Sequence, residues 1–158
     1  MKRQITDQQE KLEDQENRSR RDNIHIRGLP ETYKNLDRDI PALLSLLAPH
    51  LSSDRLELDR VHWSLGKPAI TNQPRDIIAK FQYFQTKETI MKAARETDPL
   101  QFEGHPIQIF VDLAPQTIQR RRTFKPALTI LQSHNIKYRW SFPLRLNFTY
   151  SGKQYLLQ

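Results

Sequence analysis

Residues 14–31 read "DQENRSRRDNIHIRGLPE". As far as Asp22 the stretch is acids, bases and amides with nothing apolar. From Asn23 it alternates, Ile24 and Ile26 against His25 and Arg27, until Gly28 and Pro30 interrupt it. A charged helix therefore ends near Arg21, and a half-buried strand begins within two residues of it. Towards the N-terminus, residues 1–21 contain no Gly or Pro and are rich in Gln, Glu, Lys and Arg. Ile5 and Leu12 lie seven apart, with Gln8, Gln15 and Ser19 at the other seam positions. The pattern predicts the C-terminal end of a coiled-coil helix, too thin in apolar seam residues to oligomerise alone. Arg18 and Arg20 fall where cations complement a helix C-terminus, and Arg21 stands one step before the strand.

Towards the C-terminus the period changes repeatedly. A helical pattern over "RDIPALLSLLAPHL" follows the first strand, with Pro41 expected in its first turn. Next come a strand over "LELDRVHWSLG", with a register shift near Leu58 and Val61, and a loop over "KPAITNQP". "RDIIAKFQYF" reads as a strand, "TKETIMKAARETD" as a helix and "HPIQIFVDL" as a strand. The order β-α-β-β-α-β over residues 22–112 predicts a ferredoxin-like unit, a four-stranded antiparallel sheet with both helices on one face. After Leu113, "APQTIQRRRTFKPALTILQSHN" reads as one helix bent at Pro126. Two or three short strands follow, turning at Ser151-Gly152. The class is α+β, with boundaries at 1–21, 22–112 and 113–158.

The 25 basic and 18 acidic residues are unevenly distributed. Residues 1–22 hold six of each, and residues 23–112 hold eleven basic and twelve acidic. The last 46 residues hold eight basic side chains and no Asp or Glu. Such a one-sided potential points to polyphosphate. The absence of Cys excludes disulfides, thiolate metal sites and cysteine nucleophiles and favours an intracellular setting. No apolar run reaches membrane-spanning length, and no apolar stretch near Met1 predicts a signal peptide.

Reactive clusters are not evident, so no enzyme, cofactor or metal site is expected. The five histidines lack zinc-ligand spacing, the four glycines form no phosphate loop, and Asp59 with Asp76 does not make a carboxylate pair. With Ile24, Ile26, Ile77, Ala79 and Phe81 facing the helices, His25, Arg27, Ile78 and Lys80 face outward, and Arg75 sits at the mouth of the third strand. That face suits phosphate tracking. Ile77 and Ala79 stand where an RNA recognition motif usually carries aromatics, which argues against base stacking there. In the C-terminal segment Arg120, Arg121, Arg122 and Lys125 cover more than half a helix circumference. Lys137, Arg139 and Arg145 alternate with Tyr138, Trp140, Phe142, Leu144 and Leu146. Cations for a backbone and rings for bases suit a single strand, although each ring could equally be core.

Together "LEDQENRSRRDNIHIRGLPE", "RDIIAKF", "MKAARE", "VDLAPQTIQRRR" and "YRWSFPLRLNF" resemble the first-open-reading-frame proteins of LINE-type non-LTR retrotransposons. The resemblance runs from about Leu12 to Leu157. It implies a homotrimer through a long coiled coil of which residues 1–21 are the last turns. A non-standard RNA recognition motif and a basic C-terminal domain would follow. It implies binding of single-stranded RNA and DNA with little sequence preference, coating of the element's transcript, and nucleic-acid chaperone activity during target-primed reverse transcription. The reverse transcriptase would come from the element's second protein. The setting would be cytoplasmic ribonucleoprotein particles, with the nucleus as a second compartment. The family's contacts fall on Arg21, Asn23 and His25, on Arg75 and Lys80, on Arg121 and Arg122, and on the segment Phe142 to Arg145. His25, Lys80 and Phe142 depart from the residues usual in that family: Lys80 lacks a bidentate fork, and Phe142 can stack but not hydrogen-bond. The rival expectation is a trimeric protein-interaction scaffold with basic adaptor domains.

Overall fold

The structure, a computed structural model, describes residues 2–65, 73–141 and 144–158. The fold is α+β, with five helices and antiparallel sheets among the described residues. The N-terminal helix and residues from Leu113 onward make one compact unit, and Arg21–Asp112 makes the other.

Helix α1 spans Lys2–Arg20. Its last turns carry i,i+4 ion pairs, Arg18 with Asp14 at 3.1 Å and Arg20 with Glu16 at 2.8 Å. These add a few tenths of a kcal/mol each to a helix with little apolar surface. Ile5 and Leu12, the seam residues, are exposed.

The unit 21–112 starts with β1 (Asn23–Arg27), followed by α2 (Leu36–Leu47), β2 (Leu58–Trp63), β3 (Ile77–Phe81) and α3 (Phe84–Glu96). A small hairpin, β4 (Gln101–Phe102) with β5 (His105–Pro106), precedes β6 (Gln108–Val111). The large sheet is antiparallel in the order β2-β3-β1-β6, and its register shifts between Leu58 and Arg60 as expected. Ile24, Ile26, Ile77, Ala79 and Phe81 are buried with Ile40, Leu43, Leu44 and Ile90 of the two helices. Burying each large aliphatic side chain contributes about 1.5–3 kcal/mol, which is why the period-2 pattern fixes the strands. The helix α2 begins two residues earlier than the sequence pattern places it, so Pro41 lies inside it rather than in its first turn. There the ring removes one backbone hydrogen bond.

The remaining elements are α4 (Pro115–Arg122), α5 (Lys125–Ser133), β7 (Tyr138–Ser141), β8 (Arg145–Tyr150) and β9 (Lys153–Leu157). The single bent helix expected here is instead two helices. Pro126 lies in the first turn of α5, where its missing N–H is harmless, and the chain breaks at Thr123 and Phe124. The sheet β7-β8-β9 is antiparallel, and Ser151 and Gly152, both at positive φ, form the expected two-residue turn.

A buried polar chain ties α1 to α4. The Asn17 side chain accepts the Ala114 N–H at 2.8 Å and donates to Thr117 Oγ1 at 2.7 Å, and Thr117 donates to Glu13 at 2.9 Å. Ala114 is the N-cap of α4 and has no side-chain oxygen, so Asn17 supplies the cap from another helix. Asn17 and Thr117 are almost wholly buried.

Two substitutions test these constraints. Gly28 adopts φ +113°, and a Cβ there would collide with the Pro106 carbonyl oxygen. Gly28→Ala is expected to destabilise its unit by at least about 1–3 kcal/mol in urea titrations. Asn17→Ala, which strands the buried Ala114 N–H and removes the donor to Thr117 Oγ1, is expected to lower stability by about 1–3 kcal/mol in the same measurement.

Candidate nucleic-acid interface

On the open face of the four-stranded sheet the outward set is the expected one, but its charges are largely neutralised in place. His25 Nε2 lies 2.8 Å from Asp112 Oδ1 and Nδ1 lies 3.3 Å from Asp76 Oδ2. Arg27 donates to both oxygens of Asp76, at 3.0 and 3.1 Å, and its guanidinium lies 4.9 Å from the Phe110 ring centre. Asn23 is buried and donates to Asp112 at 3.0 Å. His25 and Arg27, expected as a pair of cations facing solvent, are thus held by carboxylates from the strands on either side. Asp76 immediately precedes β3 and Asp112 immediately follows β6, so both flank the central strand β1. The hydrogen bond to Asp112 raises the His25 pKa against the opposing effect of burial, and Asp76 adds to the rise. Burial works against ionised Asp76, yet Arg27 and His25 lower its pKa.

The other cations of this unit vary in freedom. Arg75 donates to Glu31 at 2.7 Å. Lys80 is one-third exposed, 3.9 Å from Asp59, and aligned in register with Arg60 on β2 and Asn23 on β1. Arg21 is more than half exposed, and its guanidinium lies 4.3 Å from the Phe84 ring centre.

The C-terminal unit is built differently. Tyr138 and Trp140 of β7 lie in register with Phe148 and Leu146 of β8, on the face towards the helices. Leu146 is fully buried, Trp140 packs on Phe124 at 5.5 Å, and the Tyr138 hydroxyl accepts a bond from Gln132. These two rings therefore serve the core side. Phe148 and Tyr155 stack at 5.2 Å, and Tyr155 is 42% exposed. The opposite face carries Lys137, Arg139 and Arg145, all exposed. A depression of about 450 Å³ is lined from both sides of the sheet, by Lys137, Arg139 and Ser141 and by the row Tyr138, Phe148 and Tyr155. Phe142 lies outside the described residues.

On α4 the three arginines point in different directions. Arg120 reaches Glu13 at 3.6 Å, Arg121 lies over Trp140 at 4.6 Å from the ring centre, and Arg122 is exposed. Burial lowers the Arg121 pKa to about 10, which leaves it a cation at neutral pH. The structure brings Arg121 to β7, and gathers Lys137 and Arg139 around one depression. Sequence reasoning missed the acidic partners of His25, because pairing across strands depends on register. It also runs the strand "RDIIAKFQYF" through Tyr83 and Phe84, where the structure ends β3 at Phe81 and begins α3 at Phe84. Among the described residues no group of His, Asp and Glu could hold a metal ion, and no helix is long and apolar enough to cross a membrane.

The chain is 29% identical over 157 residues, 96% of its length, to the mouse LINE-1 type transposase domain-containing protein 1. It is 26% identical over 131 residues, 83% of its length, to the mouse LINE-1 retrotransposable element ORF1 protein. The human LINE-1 type transposase domain-containing protein 1 is 29% identical over 142 residues, 85% of the chain. These matches span 20%, 33% and 16% of the relatives' own lengths. No protein-family profile matches the chain.

The His25 cluster makes stability depend on pH. A histidine whose folded pKa is raised contributes fully below its unfolded value near 6.5, and the contribution disappears as pH rises through the folded value. The stability difference between the wild type and His25→Gln is expected to shrink as pH rises above about 6.5. A difference independent of pH in urea titrations would rule out the charged imidazole.

Proposed function

We propose that this chain, a LINE-1 ORF1-type protein by its relatives, binds single-stranded RNA and DNA with little sequence preference and acts as a nucleic-acid chaperone on retrotransposon RNA. The observation that carries the reading is the segment 113–158, with eight basic side chains and no carboxylate of its own. Backbone phosphates compensate such a surface, and releasing their counterions supplies the affinity. Arg120, Arg121 and Arg122 of α4 and Lys137, Arg139 and Arg145 of the outer sheet face supply the cations. Ser141, Asn147, Thr149 and Gln154 supply neutral hydrogen bonds to sugar or base. Phe142 keeps its assignment as a stacking ring.

In the unit 21–112 the sheet works as a modified RNA recognition motif, with Arg21 and Lys80 at one end of its inner strands and Arg75 at the other as phosphate contacts. Asn23 and His25 contribute by holding Asp112 and Asp76 in place. Helix α1 is the last part of a coiled coil that makes the longer protein a homotrimer, and three sets of weak contacts give avidity with fast exchange. Strands held in this way are released and reannealed, which is what a chaperone of reverse transcription does. The working form is a ribonucleoprotein particle with the element's RNA and reverse transcriptase, in the cytoplasm and also in the nucleus. The chemistry proposed is binding alone.

The test is direct titration of a mixed-sequence single-stranded RNA. Affinity is expected to fall at least about tenfold between roughly 50 and 200 mM salt. Arg121→Glu with Arg122→Glu is expected to abolish binding with an unchanged far-UV spectrum. Salt-insensitive binding, or full binding by the reversed variant, would refute the electrostatic mechanism. Binding of acidic proteins without binding of poly-U would favour the scaffold.

A further inference from the structure

A second set of rings and cations lies at the end of the large sheet where β1 begins and β3 ends. Tyr83 and Phe84 are 40% and 37% exposed. Each carries an arginine on its face: Arg55 is 4.9 Å from the Tyr83 ring centre, and Arg21 is 4.3 Å from that of Phe84. The arrangement is enforced by the backbone. Phe81 N–H donates to the Asp22 carbonyl at 2.9 Å, and Gln82 N–H donates to the Glu57 carbonyl at 3.2 Å. The chain entering α3 is thereby stitched on one side to the segment bearing Arg21 and on the other to the segment bearing Arg55. Lys87, one turn further along α3, places its ammonium 5.4 Å from the Phe84 ring centre from a nearly buried position. Two carboxylates are close, Asp22 at 4.0 Å from Arg21 and Glu88 at 3.7 Å from Lys87, and neither touches Arg55.

We infer that Arg21, Phe84, Tyr83 and Arg55 form a stacking strip for the bases of single-stranded nucleic acid. This rests on the reading that the chain binds such strands. Rings of this size left two-fifths open on a charged surface are poorly placed for packing and well placed for a planar ligand. A guanidinium lying on a ring keeps a second planar face towards solvent, and a nucleobase stacks on that face or on the ring itself. Lys80 and Arg60 lie in register beside Phe81 and Leu58, so the cations able to follow a backbone stand at the same end of the sheet. The outward positions of β3 carry Ile78 and Lys80 rather than aromatics, and the strip supplies rings just beyond the strand instead.

The experiment compares a single-stranded DNA with an abasic oligonucleotide of the same length and charge, using the full chain at fixed salt. The wild type is expected to prefer the base-bearing strand by about tenfold, the scale of one stacking contact. Tyr83→Ala with Phe84→Ala is expected to lower that preference at least about threefold, Phe142 keeping its own share, and to leave abasic binding unchanged. Tyr83→Trp with Phe84→Trp is expected to retain it. Should the alanine pair fail to fold, Arg55→Gln, a change at an exposed side chain, is expected to lower the preference at least about threefold. An undiminished preference in the alanine pair, or in Arg55→Gln, overturns the strip and leaves the C-terminal binding intact. A wild type that binds neither strand removes the proposed function itself, and the strip with it.

Discussion

Eight cations without a carboxylate among them must find negative charge elsewhere, and the fold provides very little. Glu13 of α1 accepts from Thr117 and lies near Arg120, so the acid-free segment borrows its compensation from a helix a hundred residues earlier. Arg121 takes the other available route, laying its guanidinium on Trp140. Neither device reaches Lys137, Arg139 or Arg145, which stay exposed on the outer face of the small sheet. The surplus charge follows from composition, and the way the helices and strands distribute it decides which cations are occupied and which face solvent.

The unit 21–112 has the opposite economy. Its outward histidine and arginine on β1 meet Asp76 and Asp112, and Arg75 meets Glu31. The His25 and Arg75 pairs are only partly exposed, so they are screened less than surface pairs, whereas Arg27 is half exposed. The sheet is a nearly neutral platform, with Arg21 and Lys80 at the end where β1 begins and β3 ends and the half-exposed Arg27 at the other. The C-terminal unit is a smaller body with a thin core and an uncompensated surface.

Much of this organisation is legible in the sequence, for identifiable reasons. Ile24, Ile26, Ile77, Ala79 and Phe81 are buried as their alternation requires, because a one-residue slip would expose every one of them. The Ser151-Gly152 turn follows from its two-residue length and tolerance of positive φ. The break between α4 and α5 falls before Pro126 rather than at it, because a first-turn position accommodates the ring without strain. The pairing of His25 was illegible because Asp76 and Asp112 lie 51 and 87 residues away, and only strand register brings them to the same imidazole. Charge segregation, by contrast, needs no tertiary information.

The Asn17 cap bears on how the molecule can be divided. Because the helix that caps α4 precedes Arg21 and the helix it caps follows Asp112, the large sheet is an insertion within a discontinuous unit. A fragment cut at Leu113 would begin at the neck of α4 with the Ala114 amide and the Thr117 hydroxyl stripped of their partners. It would also lose Glu13, the carboxylate nearest its arginines. The natural dissection therefore excises residues 21–112 as a cassette, joining the end of α1 directly to α4, rather than separating the chain into a front and a back half.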